Sequence, residues 1–233
     1  MSGLAGKATT GGGDYLLCPA GTHPSVLVGV IDLGTHWESY QGQLERKVRR
    51  ILLCWEIECD IDGKDCRITV GRDFNVSIND KGGLFYGQKS SLRLLLEAWR
   101  GQQFADGDVI DPLKALGLAC LVQITHEKTK GGKEVSRIKG ASKLVKGMAP
   151  LKPTYNLVSY LADSDSAAPS EDWLPRVYGE KIEEVLERCL EWGGDGRRKS
   201  KGSPNGQSAA AEEASAYGTP FDEPSYAEDG IPY

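Results

Sequence analysis

Apolar and polar residues alternate along much of the first 140 residues, and a period of two predicts strands. From Ser25 to Asp32 the chain is β-branched and apolar, and it stops at Leu33-Gly34-Thr35, which reads as a strand entering a loop. Arg46 to Glu58 sets Ile51, Leu53, Trp55 and Ile57 on one face and leads into Asp62-Gly63, a hairpin dipeptide. A third strand, Arg67 to Ile78, carries Ile68, Val70, Phe74, Val76 and Ile78 on one parity, completing a meander. The period then becomes helical between Ser90 and Arg100: Leu92, Leu95, Leu96 and Trp99 fall at i, i+3, i+4 and i+7, with Gly101 as the stop. Beyond Asp111-Pro112 and a short helical turn near Leu116, Ala119 to His126 reads as a fourth strand and Val135 to Ile138 as a fifth. Gly179 to Trp192 forms an amphipathic helix with Ile182, Val185, Leu186 and Cys189 on one face, expected to dock on the strands.

Five strands with one helix between the third and fourth is the element order of the oligonucleotide/oligosaccharide-binding (OB) barrel. The expected fold is therefore mainly β: a five-stranded OB barrel, a C-terminal amphipathic helix and a disordered acidic tail. Residues 1–14 are Gly/Thr-rich and expected to be disordered, 15–192 form the domain, and 193–233 are linker and tail. On such barrels strands two and three and the loops joining strands one to two and four to five make the binding face. Single-strand binding there needs cations that follow phosphates and aromatic rings on which bases stack. The first loop offers Trp37 and Tyr40, strand two Lys47, Arg49 and Arg50, strand three Arg67, Arg72 and Phe74, and the second loop Lys128, Lys130 and Lys133. Trp55 and Trp99 share parity with aliphatic neighbours and read as core, and Phe74 has the same parity problem.

Charge changes this picture once it is divided along the chain. The whole chain has 28 Lys+Arg against 33 Asp+Glu and a net charge of −5, yet six of those acids lie beyond residue 202, where there is no Lys or Arg. The remaining body is nearly neutral, so an acidic average does not argue against a nucleic-acid partner. A short basic run, Arg197-Arg198-Lys199-Ser200-Lys201, precedes the acidic arm and can add phosphate contacts. No apolar stretch approaches a membrane span or a signal peptide, and a cytoplasmic protein is expected. Its six cysteines are then expected to be reduced, and none forms a C-x-x-C pair. Cys54, Cys59 and Cys66 have irregular spacing and no completing His for a zinc site; no cofactor is expected.

The chain ends Asp222-Glu223-Pro224-Ser225-Tyr226-Ala227-Glu228-Asp229-Gly230-Ile231-Pro232-Tyr233. This tip resembles that of bacterial single-stranded-DNA-binding proteins, an acidic run closed by Ile-Pro-Phe, with Tyr233 in place of the Phe. The resemblance implies that Asp222, Glu223, Glu228, Asp229, Ile231, Pro232 and Tyr233 engage partner proteins. The body resembles a family of small single-stranded-DNA-binding proteins encoded by tailed bacteriophages. The matching islands include Pro19-Ala20-Gly21-Thr22-His23, Ile31-Asp32-Leu33-Gly34-Thr35, Trp55-Glu56, Leu95-Leu96-Glu97-Ala98-Trp99-Arg100-Gly101 and Leu190-Glu191-Trp192. The resemblance implies a protein that coats single-stranded DNA in phage replication or recombination and recruits replication proteins, phage or host, through its tail.

An interaction adaptor built on the same barrel is the alternative from another class. A metal-dependent nuclease using Glu56, Glu58, Asp60, Asp62 and Asp65 is a third, although these acids alternate along a hairpin as solvent-facing residues do. No phosphate-cradling loop, H-E-x-x-H or G-x-S-x-G motif occurs, and no enzymatic activity is expected.

Overall fold

The computed structural model describes residues 17–39, 44–79, 81–129, 132–163, 167–177 and 179–197. Seven strands form one sheet: β1 (Gly21–Glu38), β2 (Arg46–Ile61), β3 (Lys64–Ile78), β4 (Leu84–Phe85), β5 (Ala119–Lys128), β6 (Glu134–Ser142) and β7 (Val158–Tyr160). The order is β4-β3-β2-β1-β5-β6, all antiparallel, with β7 running parallel to β1 at Gly29 to Ile31. The predicted meander is present, and helix α1 (Ser91–Arg100) follows it as expected.

The first strand is longer than its hydrophobic run because Gly34 does not end it. Gly34 adopts φ +81° inside a register shift between Asp32 and Thr35, so the chain passes through a bulge and pairs on to Glu38 against Arg46. The hairpin after β2 behaves as its dipeptide dictates: Asp62 at φ 54° and Gly63 at φ 77° turn the chain, and Asp60 accepts a hydrogen bond from Gly63 N at 2.8 Å.

The closed barrel is not observed. β3 and β6 are not paired in the sheet; across the gap Arg72 donates to the carbonyls of Ile138 (3.0 Å) and Lys139 (2.9 Å). Curvature still encloses a core. Leu27, Leu53, Trp55, Ile57, Phe74 and Val122 meet the apolar stripe of α1, and the Trp55 and Trp99 ring centroids lie 6.2 Å apart.

Strand β2 is buried on both faces, which its strict alternation does not foretell. Leu52 and Cys54 point away from the barrel core into a second cluster with Ile31, Leu33, Val158, Ile182 and Leu186. The cover is the described part of segment 150–197, which lies across the outer face of β1, β2 and β3 as a strap through Glu191 on Thr35, Thr154 on Glu56 and Trp173 on Thr69. The short amphipathic helix expected over Gly179 to Trp192 covers only part of that span, as α2 (Ile182–Leu186), and is followed by a 3₁₀ turn at Leu190–Trp192. Its buried residues are nonetheless those of the predicted face, Ile182, Val185, Leu186 and Cys189. Close approach explains Gly71, where a Cβ would lie 2.5 Å from Pro175 Cγ of the strap.

No described helix is long and apolar enough to cross a membrane.

Candidate nucleic-acid interface and an acidic cleft

Most of the strand residues expected to bind phosphate are committed to the protein's own carboxylates and carbonyls. Arg49 bonds Asp32 and Glu191, and Glu191 also accepts from Thr35 N (2.7 Å) and Oγ1 (2.6 Å), so this arginine fastens the strap to β1. Arg50 is 1% exposed and pairs with Asp73 at 2.7 Å. Arg67 pairs with Glu56 (2.8 Å) and Glu58 (3.0 Å) and donates to Lys152 O. Arg72 closes the β3–β6 gap and places its guanidinium 4.8 Å from the Phe74 ring centroid. Phe74 itself is 2% exposed in the core and offers no face to a base. The arginines expected to form a binding face on strands two and three are thus occupied within the protein: Arg49 and Arg67 hold the strap, Arg50 pairs with Asp73, and Arg72 bridges β3 and β6.

Glu56 is the acid that holds the strap. It is fully buried and accepts from Thr154 N (2.8 Å), Thr154 Oγ1 (2.6 Å), Tyr155 N (3.3 Å) and Arg67. Burial pushes its carboxyl up, but the hydrogen bonds from Thr154, Arg67 and Tyr155 outweigh this and leave it below its ordinary value. It is therefore not a solvent-facing strand residue, and among the described residues no three His, Cys, Asp or Glu side chains are grouped to hold a metal ion.

Among the described residues expected to bind single strands, Trp37 and Lys47 form a pairing of aromatic ring and cation at the surface. Trp37 is half-buried at the far end of β1, and the Lys47 ammonium sits 5.1 Å from its ring centroid across the strand pair. The departing chain reaches the same place: Trp37 N donates to Gly196 O at 2.8 Å, and Arg197 pairs with Glu45 at 2.8 Å. A Cβ on Gly196 would lie 2.9 Å from Trp37 Cδ1, so the indole rests on a position that only glycine fills without displacement. Gly196 and Arg197, the residues that lead into the basic run, are therefore anchored beside Trp37 and Glu45. Sequence reasoning noted that run but had no means of placing it.

Lys128 and Lys133 are exposed on the β5–β6 hairpin. The register puts that hairpin at the opposite end of β1 from Trp37, since Ile124 pairs with Gly21. The two predicted loops therefore do not extend one strand end together. Tyr40, Lys130 and the tail residues Asp222, Glu223, Glu228, Asp229, Ile231, Pro232 and Tyr233 lie outside the described residues.

A second feature has no counterpart in the sequence reading. A cleft of about 850 Å³ opens between β4 with Tyr86, the 105–113 loop and the end of β7, floored by Val30, Asp32 and Ile51. Tyr86 lines it; burial first, and then the field of Asp111 and Asp32, push its hydroxyl up to about 12, so it stays a protonated donor.

His36 gives this end of the fold a pH signature. It is 2% exposed and donates through Nε2 to Leu33 O at 2.8 Å, and burial together with the Arg50 charge lowers its pKa to about 4. A depressed histidine pKa means the unfolded chain binds the extra proton first. Stability is expected to be fully present above about pH 6.5 and to fall towards pH 4, by at most about 1.4 kcal/mol per pH unit. Thermal melts of wild type and His36→Gln between pH 7 and 5 check this. Parallel slopes for the two proteins would remove His36 as the cause.

The cysteines are free, and burial pushes the thiols of Cys18 (to about 12), Cys120 (to about 11), Cys54, Cys59 and Cys189 upward, which makes them inert core residues.

Compared with known proteins, the chain matches no family model, no curated protein and no solved structure.

Proposed function

We propose that this protein binds single-stranded DNA, without strong sequence preference, at the end of the β1–β2 ribbon. The observation that carries the reading is the Lys47 ammonium over the half-exposed Trp37 ring, beside Arg46 and the start of the Arg197-Arg198-Lys199-Ser200-Lys201 run. Glu45 balances Arg197, and Glu38 stands opposite Arg46, so the positive charge for phosphate contacts comes from Lys47 and the run that follows. A ring supplies stacking for any base, and lysine supplies phosphate neutralisation.

The sheet supports an OB-like reading of the fold with one seam left open. β1 pairs with both β2 and β5, α1 enters after β3, and β6 lies beside β3 across an unpaired seam that Arg72 bridges. The resemblance to phage single-stranded-DNA-binding proteins supports the same reading, with a role in phage DNA replication or recombination and with the acidic tip recruiting phage or host replication proteins. No chemical step is part of the proposal.

The test is tryptophan fluorescence titration with oligo(dT) and with a duplex of equal length, at two salt concentrations. Trp37→Ala should weaken single-strand binding by about 1–3 kcal/mol. Lys47→Ala should reduce the salt slope by about one. Thermal melts of both variants separate lost contact from lost folding, which matters because Trp37 rests on Gly196. Equal affinity for duplex and single strand, or unchanged binding by folded Trp37→Ala, would overturn the reading.

A further inference from the structure

The cleft beside β4 is chemically unlike the Trp37 end. Five of the twelve exposed large apolar residues among those described line it: Leu84, Phe85, Val109, Leu113 and Leu161, with Val109 80% and Phe85 57% exposed. Exposed apolar side chains scattered singly need no explanation, but such a concentration around one concavity marks a binding site. Its size also falls within the range of sites that engulf a ligand or an anchoring side chain.

Charge identifies the kind of occupant. Asp32, Asp106, Asp108 and Asp111 line the cleft, and the lining has one cation, Arg93. Arg93 is already spent: Nε donates to Glu97 at 2.8 Å and Nη2 to Phe104 O at 2.7 Å. Asp32 is neutralised by Arg49. Among the described residues Asp108 and Asp111 accept only backbone hydrogen bonds, from Ala105 N (2.8 Å) and Leu113 N (3.0 Å), and neither has a cationic partner there. Asp106 adds a third negative charge at the exposed rim. A phosphate backbone and this chain's own acidic tail are both repelled from such a site, whereas a cationic segment is attracted.

We infer that this cleft docks a short basic segment of a partner protein, whose large apolar side chains enter between Phe85, Val109 and Leu161 while its Lys or Arg residues meet Asp106, Asp108 and Asp111. The site is independent of the single-strand reading. It would give the molecule two faces, a cationic end for nucleic acid and an acidic cleft for protein.

The experiment uses the full chain and fluorescein-labelled peptides built from Lys-Phe-Lys-Leu repeats, with Glu-Phe-Glu-Leu and Lys-Ser-Lys-Ser repeats as partners in the comparison. Anisotropy should show saturable binding of the first peptide and little of the other two. Phe85→Ser and Val109→Ser should each weaken it about tenfold, the scale of one lost apolar anchor. Asp106→Lys should weaken it too and flatten its salt dependence. Because Val109 and Asp106 are exposed, those two variants are expected to melt as wild type does, which guards against a folding artefact. Equal binding of the Glu peptide, or of the Lys-Ser peptide, overturns the proposal. So does indifference to all three variants, which would place the peptide on the acidic tail. Displacement by oligo(dT) would assign the cleft to the nucleic-acid interface instead. A concentration-dependent dimer in sedimentation that Phe85→Ser makes monomeric would show a second copy as the occupant. Failure of oligo(dT) to bind at all sinks the single-strand reading and leaves this one standing.

Discussion

Trp55→Ala is expected to lower the stability of the fold by about 3–5 kcal/mol, the cost of truncating a large buried ring in a site that cannot collapse around the loss. Trp55 is fully buried on the inner face of β2, and its ring is tilted 47° against Trp99 of α1. It therefore joins the sheet to the helix that caps it. Urea unfolding followed by circular dichroism measures the loss as a lower midpoint at unchanged slope. Affinity for oligo(dT), measured where the variant is still folded, should be unchanged because Trp55 has no path to the surface. A loss below about 1 kcal/mol would mean that the core repacks and that Trp55 is not the joint we describe.

Glu56→Ala should cost a similar amount, about 3–5 kcal/mol, because it removes the buried carboxylate and leaves Arg67, the Thr154 amide and the Thr154 hydroxyl without their acceptor. The damage should be local as well as global. Thr154 and Tyr155 are the strap's anchor on β2, so chymotrypsin should cut after the half-buried Tyr155 sooner in the variant than in wild type. Glu56→Gln keeps acceptor capacity for Thr154 and loses the charge; it should fall between the two. The sign of the pH dependence follows from the depressed carboxyl: its contribution is complete above the ordinary glutamate value and is lost as pH falls through the folded-state value. An unchanged rate of cleavage after Tyr155 would show that the strap is held elsewhere.

Much of the strand plan was legible in the residues. The parity of Ile51, Leu53, Trp55 and Ile57, the Asp62-Gly63 turn and the stripe Leu92, Leu95, Leu96 and Trp99 all describe local geometry, and local geometry is what a period of 2.0 or 3.6 records. Trp55 and Trp99 were assigned to the core on the same ground and are there. The errors lie where a long-range partner decides. Gly34 reads as a strand end but is a bulge, because Arg49 and Val48 remain to be paired beyond it. Arg49, Arg50, Arg67 and Arg72 read as a cationic face, because a sequence shows a guanidinium but not the Asp32, Asp73, Glu56 or carbonyl oxygen that occupies it.

The chain's order of strands and helix, the side of each strand that faces the core and the position of the basic run before the acidic arm are determined by the sequence itself, since each depends on neighbours within a few residues. Whether the sheet closes, that both faces of β2 are covered and where the cations are free were decided only by the tertiary structure. Outside the stripe Ile182, Val185, Leu186 and Cys189 the strap has little periodicity of its own, and its placement rests on contacts distant in sequence, such as those of Glu191 with Thr35. Burial under the strap turned surface arginines into ion pairs, because a guanidinium removed from water must find a carboxylate or carbonyl. The same folding left Trp37 and Lys47 at a free end of the ribbon, and gathered Phe85, Val109 and three aspartates around one cleft.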